Sequence, residues 1–344
     1  MSTPAATTRM FHEAAQAPEV VRTQLSANAA RAVQLAERLR HSPPRAVVTC
    51  ARGSSDHAAT FARYLIETRL GLLTSSAAPS VSSVYEAAPD LSGTLMLTIS
   101  QSGASPDILA AVSRARAAGA HIVALVNAEH SPLAQLADEL LPLHAGTEQS
   151  VAATKSYIAS LSAIVQLVAE WAGDVPLAAA LQHAPEALAR AWQLDWSAAI
   201  AHLTPASSLY VIGRGLGLGI AQEAALKFKE TCGLHAEAVS AAELRHGPMA
   251  LVRAGFPLLL FTQNDESRAG VTQLAAELVA QGADVLLAGA SLARTTELPT
   301  EGAHPVIEPM LFAQSFYRMA NELSLARGHN PDAPPHLRKV TETL

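Results

Sequence analysis

The chain has 344 residues, 49% of them hydrophobic and only 4% aromatic, with a net charge of −6 from 24 basic and 30 acidic side chains. That length suits two ordinary domains or one large α/β unit with a core of Ala, Leu and Val, and the acidic balance, without any Lys/Arg run, argues against nucleic acid as the main partner. Two cysteines, Cys50 and Cys232, with no C-x-x-C pair, exclude a disulfide framework and a structural zinc site as readings.

The start, Met1 to Thr8, is small and polar and has no signal-peptide core. A helical arm is predicted from about Thr8 to Leu39, with apolar positions at Val20, Val21, Leu25, Ala29, Ala32, Val33 and Leu35, and Pro43-Pro44 ends it. Ala46 to Cys50 reads as a strand, followed by the turn Ala51-Arg52-Gly53-Ser54-Ser55 and a helix to Thr68. Gly93 to Ser100 is a second apolar strand, which runs into the hydroxyl-rich turn Ser100-Gln101-Ser102-Gly103-Ala104-Ser105 and a helix opened by Pro106. A strand at His121 to Val126 and the run Leu140 to Leu143 follow. The segment Thr147 to Lys155 then leads into a long apolar helix over 156–171. Ser160, Ser162, Gln166 and Glu170 interrupt that helix, so it reads as a core helix and not a membrane span. Strands alternating with helices predict a parallel sheet with helices on both faces.

The second half repeats the first. Leu209 to Gly215 matches Val47 to Gly53, Thr262-Gln263 matches Ser100-Gln101, and Gln281 to Val285 matches Ala118 to Ile122, at offsets of 162 (215−53 and 263−101) and 163 (282−119). Such near-constant spacing predicts a duplicated α/β domain. The second copy has Thr262-Gln263-Asn264-Asp265 where the first has Ser100-Gln101-Ser102-Gly103, so only the first keeps the hydroxyl-rich turn.

Ligands of open parallel sheets sit at the carboxyl ends of the strands. That places Ser55, Ser100, Gln101, Ser102 and Ser105 in one polar cluster beside helix starts, whose unpaired N–H groups suit a dianionic phosphate. The turn has no Lys and no G-x-x-x-x-G-K-[ST] pattern, so a small sugar phosphate fits it better than a nucleotide. A serine-capped helix after a strand fits the same residues, and the turn alone leaves both readings open. Val151 to Lys155 could close the pocket with backbone groups, although Thr154 and Lys155 read more readily as a helix N-cap and a solvated lysine than as ligand contacts. Glu223, Lys227 and Glu230, at i, i+4 and i+7, share one helix face. That is a salt-bridge ladder if the helix is exposed, and a placed base if it lies at the crevice. His246-Gly247-Pro248 reads as a sharp turn presenting an imidazole. His235 and His246 lack zinc spacing, and there is no G-x-S-x-G elbow. The end, Asn330 to Thr341, carries three prolines and Lys339, and reads as a frayed basic tail or as a lid bringing an amine to a carbonyl substrate.

Together these motifs resemble the double sugar-isomerase (SIS) domain proteins. The nearest resemblance is to the isomerase half of glutamine–fructose-6-phosphate aminotransferase and to the SIS-type glucosamine-6-phosphate deaminases. The resemblance rests on Arg52-Gly53-Ser54-Ser55, Ser100 to Gly103, Ala153-Thr154-Lys155, Glu223 to Glu230, His235-Ala236-Glu237, Glu243 to Pro248 and the end from Asp332 to Val340, in that order. It implies an α/β fold of two tandem doubly wound, flavodoxin-like parallel-sheet subdomains. The expected organisation is a helical arm over 1–44, a phosphate-binding subdomain over 45–173, connecting helices over 174–203, a second subdomain over 204–328, and a tail over 329–344.

By the same resemblance, Ser100, Gln101, Ser102 and Ser105 hold the phosphate, and Ser55, Val151 and Ala153 line the sugar. Glu230 moves the proton between C1 and C2, His246 of a neighbouring subunit helps open the ring, and Lys339 serves carbonyl chemistry. Gly53, Glu223 and Lys227 support them. The implied reaction converts glucosamine 6-phosphate to fructose 6-phosphate and ammonia, with no cofactor or metal, in a cytoplasmic homodimer that shares its active site. A related amino-sugar-phosphate enzyme, a stand-alone aminotransferase-like isomerase and a non-catalytic sugar-phosphate sensor are the alternatives. Ala153, Ser105 and Ala104 depart from the aminotransferase pattern of Ser, Thr and an acid. At the front, Met1 is followed by Ser2 and the arm, with neither cysteine nearby, so no glutaminase domain is expected.

Overall fold

The computed structural model describes residues 5–85, 87 and 89–339. The described residues form two compact units, one from 19–148, 155–182 and 338–339, the other from 5–18, 149–154 and 183–337. Among them no helix is long and apolar enough to cross a membrane.

Two helices open the chain, α1 (Arg9–Ala15) and α2 (Ala17–His41). Thr8 starts α1 by accepting the Phe11 N–H on its side chain. The first sheet consists of β1 (Ala46–Cys50), β2 (Thr74–Ser76), β3 (Thr94–Ser100), β4 (His121–Val126) and β5 (Glu139–Pro142), all parallel in the order β2-β1-β3-β4-β5. Its crossovers are α3 (Ser54–Leu70), α4 (Pro79–Ser83), α5 (Pro106–Ala117) and α6 (Pro132–Leu136). Every residue of β3 is buried, as expected for a central strand covered on both faces. The long helix α7 (Lys155–Ala172) is buried nearly all round and packs against α3. The arm docks by polar contacts that its apolar pattern did not reveal. Ala29 and Val33 face solvent, while the fully buried Gln24 and Asn28 bond α7 and the end of β5. Ser162 Oγ donates to Gln24 Oε1 at 2.7 Å, and Asn28 Nδ2 donates to Pro142 O at 2.7 Å.

Three helices come next, α8 (Val175–Gln182), α9 (Ala184–Ala191) and α10 (Ser197–Leu203). The second sheet follows as β6 (Ser208–Gly213), β7 (His235–Ser240), β8 (Pro257–Phe261), β9 (Asp284–Ala288) and β10 (Thr296–Leu298), with α11 (Gly217–Cys232), α12 (Arg268–Ala280) and α13 (Glu308–Ala326) as its helices. It is again fully parallel, ordered β10-β9-β8-β6-β7, which is the topology of the first sheet. The duplication predicted by the repeat and the tandem doubly wound class implied by the resemblance are therefore present. The segment from His235, which opens the His235-Ala236-Glu237 motif, is the edge strand β7, with His235 and Glu237 exposed and Ala236 and Val239 buried.

Candidate functional site

In the first sheet's unit, β3 ends at Ser100, and the turn beyond it is braced from inside. Ser100 Oγ accepts the Gly103 N–H at 2.9 Å and Ser102 Oγ accepts the Ala104 N–H at 3.3 Å. Gly103 O in turn accepts the Leu133 N–H at 3.1 Å. Gly103 has φ +62°, and a Cβ there would meet Ser131 Oγ at 2.1 Å and Val126 Cγ2 at 2.9 Å, so the turn closes only on glycine. Ser105 occupies the N-cap position of α5 with an extended backbone, yet its side chain makes no capping hydrogen bond. The plain serine-cap reading of this turn therefore fails at Ser105.

Asp107, in the first turn of α5, is buried, and its Oδ2 accepts from Arg52 Nε and Nη2, each at 2.8 Å. Arg52 lies in the turn after β1, so it neutralises a carboxylate in the helix that follows the hydroxyl-rich turn. Gly53 follows with φ +55° and leads into α3, where Ser55 is half-buried. Burial pushes the Asp56 carboxyl up, against the opposing pull of His57 and Arg52. A cavity of about 740 Å³ also opens in this unit, but its lining by Pro43, Pro44, Gly93 and His121 puts it at the amino ends of the strands, away from these turns.

Lys339 belongs to the same unit. Its Nζ lies 3.4 Å from Oε2 of the fully buried Glu148, which also accepts from the Ser156 hydroxyl and N–H. Lys155 is buried and donates to Thr147 O at 2.7 Å, so it is not a solvated lysine; it fixes the backbone just before Glu148.

In the other unit, α11 carries Glu223, Lys227 and Glu230. The face they share is covered: Glu223 and Lys227 are 1% exposed at the side chain and Glu230 is 20% exposed. Lys227 Nζ is 3.4 Å from Glu223 Oε1 and is ion-paired to Glu230 Oε2, while Tyr317 OH donates to Glu223 Oε1 at 3.0 Å. The exposed-ladder reading is therefore excluded. Burial alone would push the Lys227 ammonium down, but Glu223 and Glu230 outweigh it and hold its proton above the ordinary lysine range. His246 ends a single turn of 3-10 helix, Glu243–His246, before Gly247 and is exposed. Val151 and Ala153 are half-buried in the 149–154 segment, and Glu13 of α1 accepts the Gln149 and Ser150 N–H groups just ahead of them.

The second copy of the turn is closed by its own side chains. Asp265, 162 residues after Gly103, accepts from Ser267 N–H at 2.8 Å and from the Ser267 hydroxyl. The fully buried Gln263 donates to Asp265 Oδ2 at 3.0 Å and to Arg214 O at 2.7 Å. A carboxylate thus fills the place an incoming anion would need.

The SIS domain pattern matches residues 41–170 and 202–293, one stretch on each sheet. The chain belongs to the SIS domain family. It is 35% identical over 309 residues to glutamine–fructose-6-phosphate aminotransferase of Aeropyrum pernix, an alignment covering 84% of this chain and 49% of that protein. The chain spans about half the length of the curated relatives it matches. Among solved structures, a protein of Silicibacter pomeroyi provisionally named a phosphosugar isomerase superimposes with a TM-score of 0.91 at 42% identity, covering 94% of this chain and all of that one. The fold is shared with a glucosamine-6-phosphate deaminase of Thermotoga maritima at a TM-score of 0.76 and 22% identity, over 98% of this chain and 100% of that one.

Within this SIS protein, Glu148 meets the candidate Lys339 and Glu13 holds the backbone just before Val151, while Arg52 pairs with Asp107 and Asp332 accepts the first amides of α1. Arg52 opens the Arg52-Gly53-Ser54-Ser55 motif. Glu148, an isolated acid three residues before Val151, offers a weak signal, Asp332 opens the last of the motifs, and Glu13 offers none.

Proposed function

We propose that the chain converts glucosamine 6-phosphate and water to fructose 6-phosphate and ammonia. The observation that carries this reading is the carboxylate of Glu230, partly open to solvent yet fixed by the buried Lys227 ammonium, which also pairs with Glu223, itself held by the Tyr317 hydroxyl. A base with so little freedom meets the requirement of a proton shuttle between adjacent carbons.

In this reading, Ser100, Gln101, Ser102 and Ser105 hold the phosphate through hydroxyl and amide groups, and Ser55, Val151 and Ala153 line the sugar. The phosphate grip supplies binding energy remote from the reacting carbons and so orients C1 and C2. His246, contributed by a second copy in a homodimer, protonates the ring oxygen as the ring opens. Glu230 takes the C2 proton to give an enediol-like enolamine and returns it to C1, leaving an imine at C2. Water adds to that imine, the C–N bond breaks, and ammonia leaves. Lys339 supplies its ammonium at the carbonyl end, steadied by Glu148.

The similarity to aminotransferases favours a second reading, in which the same residues run the reaction from fructose 6-phosphate and ammonia towards the amino sugar. The deciding assay is release of ammonia and fructose 6-phosphate from glucosamine 6-phosphate by purified protein, without glutamine or added metal. Equal release of both products supports the deaminase. Net formation of glucosamine 6-phosphate from fructose 6-phosphate and ammonium, with no release in the forward assay, supports the second reading. Tight binding of the sugar without turnover in either direction would make the chain a sensor or an enzyme for another amino sugar.

A further inference from the structure

The short helix α1 is tied at both ends to segments far away in sequence. At its start, Asp332 Oδ2 and Oδ1 accept the N–H groups of Arg9 and Met10, each at 2.8 Å, and Thr8 Oγ1 donates to Asn321 Oδ1 at 2.6 Å. At its end, Glu13 is 7% exposed and spends both carboxylate oxygens on consecutive backbone amides: Oε1 on Gln149 N–H and Oε2 on Ser150 N–H, the latter at 3.0 Å. Hydrogen bonds to an ionised acceptor are about twice as strong as neutral ones, and two on adjacent amides fix the peptide plane as well as its position. The peptide so fixed immediately precedes Val151 and Ala153.

From this geometry we infer that Glu13 is a positioning residue for the sugar-lining segment 149–154, and that α1 joins that segment to the tail through Asp332. The inference rests on the reading of Val151 and Ala153 given above. Glu13 touches no reacting atom; it acts by holding the backbone on which those two residues are carried. Replacing the carboxylate by an amide turns one acceptor into an N–H group facing an N–H group, so that one amide loses its partner while the side-chain volume is kept.

The test combines hydrogen exchange with steady-state kinetics on the E13Q protein. Exchange of the amides in 149–154 should speed up in E13Q while the core strands keep wild-type protection. KM for glucosamine 6-phosphate should rise about tenfold, the equivalent of one charged hydrogen bond, with a smaller change in kcat. Unchanged exchange in 149–154, or faster exchange with wild-type KM, would overturn the inference. If E13Q does not fold, E13D keeps the charge but cannot reach both amides, and it carries the same expected outcomes. A wild type that releases no ammonia overturns the proposed reaction instead. The Kd for fructose 6-phosphate then replaces KM as the readout, and it must rise in E13Q for the inference to stand.

Discussion

Lys227 and Glu223 stand one helical turn apart with Nζ and Oε1 3.4 Å from each other, both side chains out of contact with water. A buried ion pair contributes little net stability, but removing one member leaves the other charge uncompensated at a cost of about 3–5 kcal/mol. K227M should therefore lower the urea midpoint sharply and abolish turnover, because Glu223 and Glu230 then face each other without a cation. The pH dependence has a definite sign. The fold holds the Lys227 proton above the ordinary lysine value of 10.5, so the pair's contribution is fully present below that value and fades as pH rises through the higher folded value. Urea titrations of wild type and K227M should differ by a constant amount across neutral pH and converge only in strong alkali. Convergence near neutrality would contradict the arrangement.

Glu230 can be separated from the scaffold that holds it. E230Q keeps an acceptor for Lys227 and should unfold at nearly the wild-type temperature, while kcat falls roughly 10²–10⁴-fold, the range of a lost general base. Binding of fructose 6-phosphate, measured by calorimetry, should survive. Loss of binding together with activity would make Glu230 structural.

Gly103 offers a test of the hydroxyl-rich turn. In G103A the new methyl meets Ser131 and Val126 in a backbone region that side chains avoid, at a cost of about 3 kcal/mol. The turn must shift to relieve this, so Kd for fructose 6-phosphate should rise well before the fold is lost. The alanine variant of Asp265 in the second copy, D265A, should leave Kd unchanged, since that turn is filled from within.

Both cysteines should be silent. Cys50 and Cys232 are fully buried, and burial pushes each thiol up to about 12, helped for Cys50 by Asp107 and opposed by Arg52. The thiolate is the reactive form, so the native protein should not react with a thiol reagent at neutral pH and should release two equivalents on unfolding. Fast reaction of either thiol in the native state would show that its cover opens.

Local pattern carried the architecture. Apolar strands running into turns and helices, repeated at an offset of 162, determined two parallel sheets of one topology and placed the hydroxyl-rich turn at a strand end. The spacing of Glu223, Lys227 and Glu230 determined that they share a helix face. Whether that face is covered is a property of what packs on it, and only the tertiary structure, with Tyr317 of α13 bonded to Glu223, settled that Glu223 and Lys227 are buried while Glu230 stays partly open. The edge strand β7 was hidden because an edge needs few apolar residues, and its charged positions masked the alternation. Three long-range polar contacts join residues with no sequence proximity: Glu13 to Ser150 across 137 positions, Glu148 to Lys339 across 191, and Met10 to Asp332 across 322. A lone acid in a helix or a tail carries no periodic signal of the amide or ammonium that folding will bring to it, so these pairings were decided in three dimensions alone.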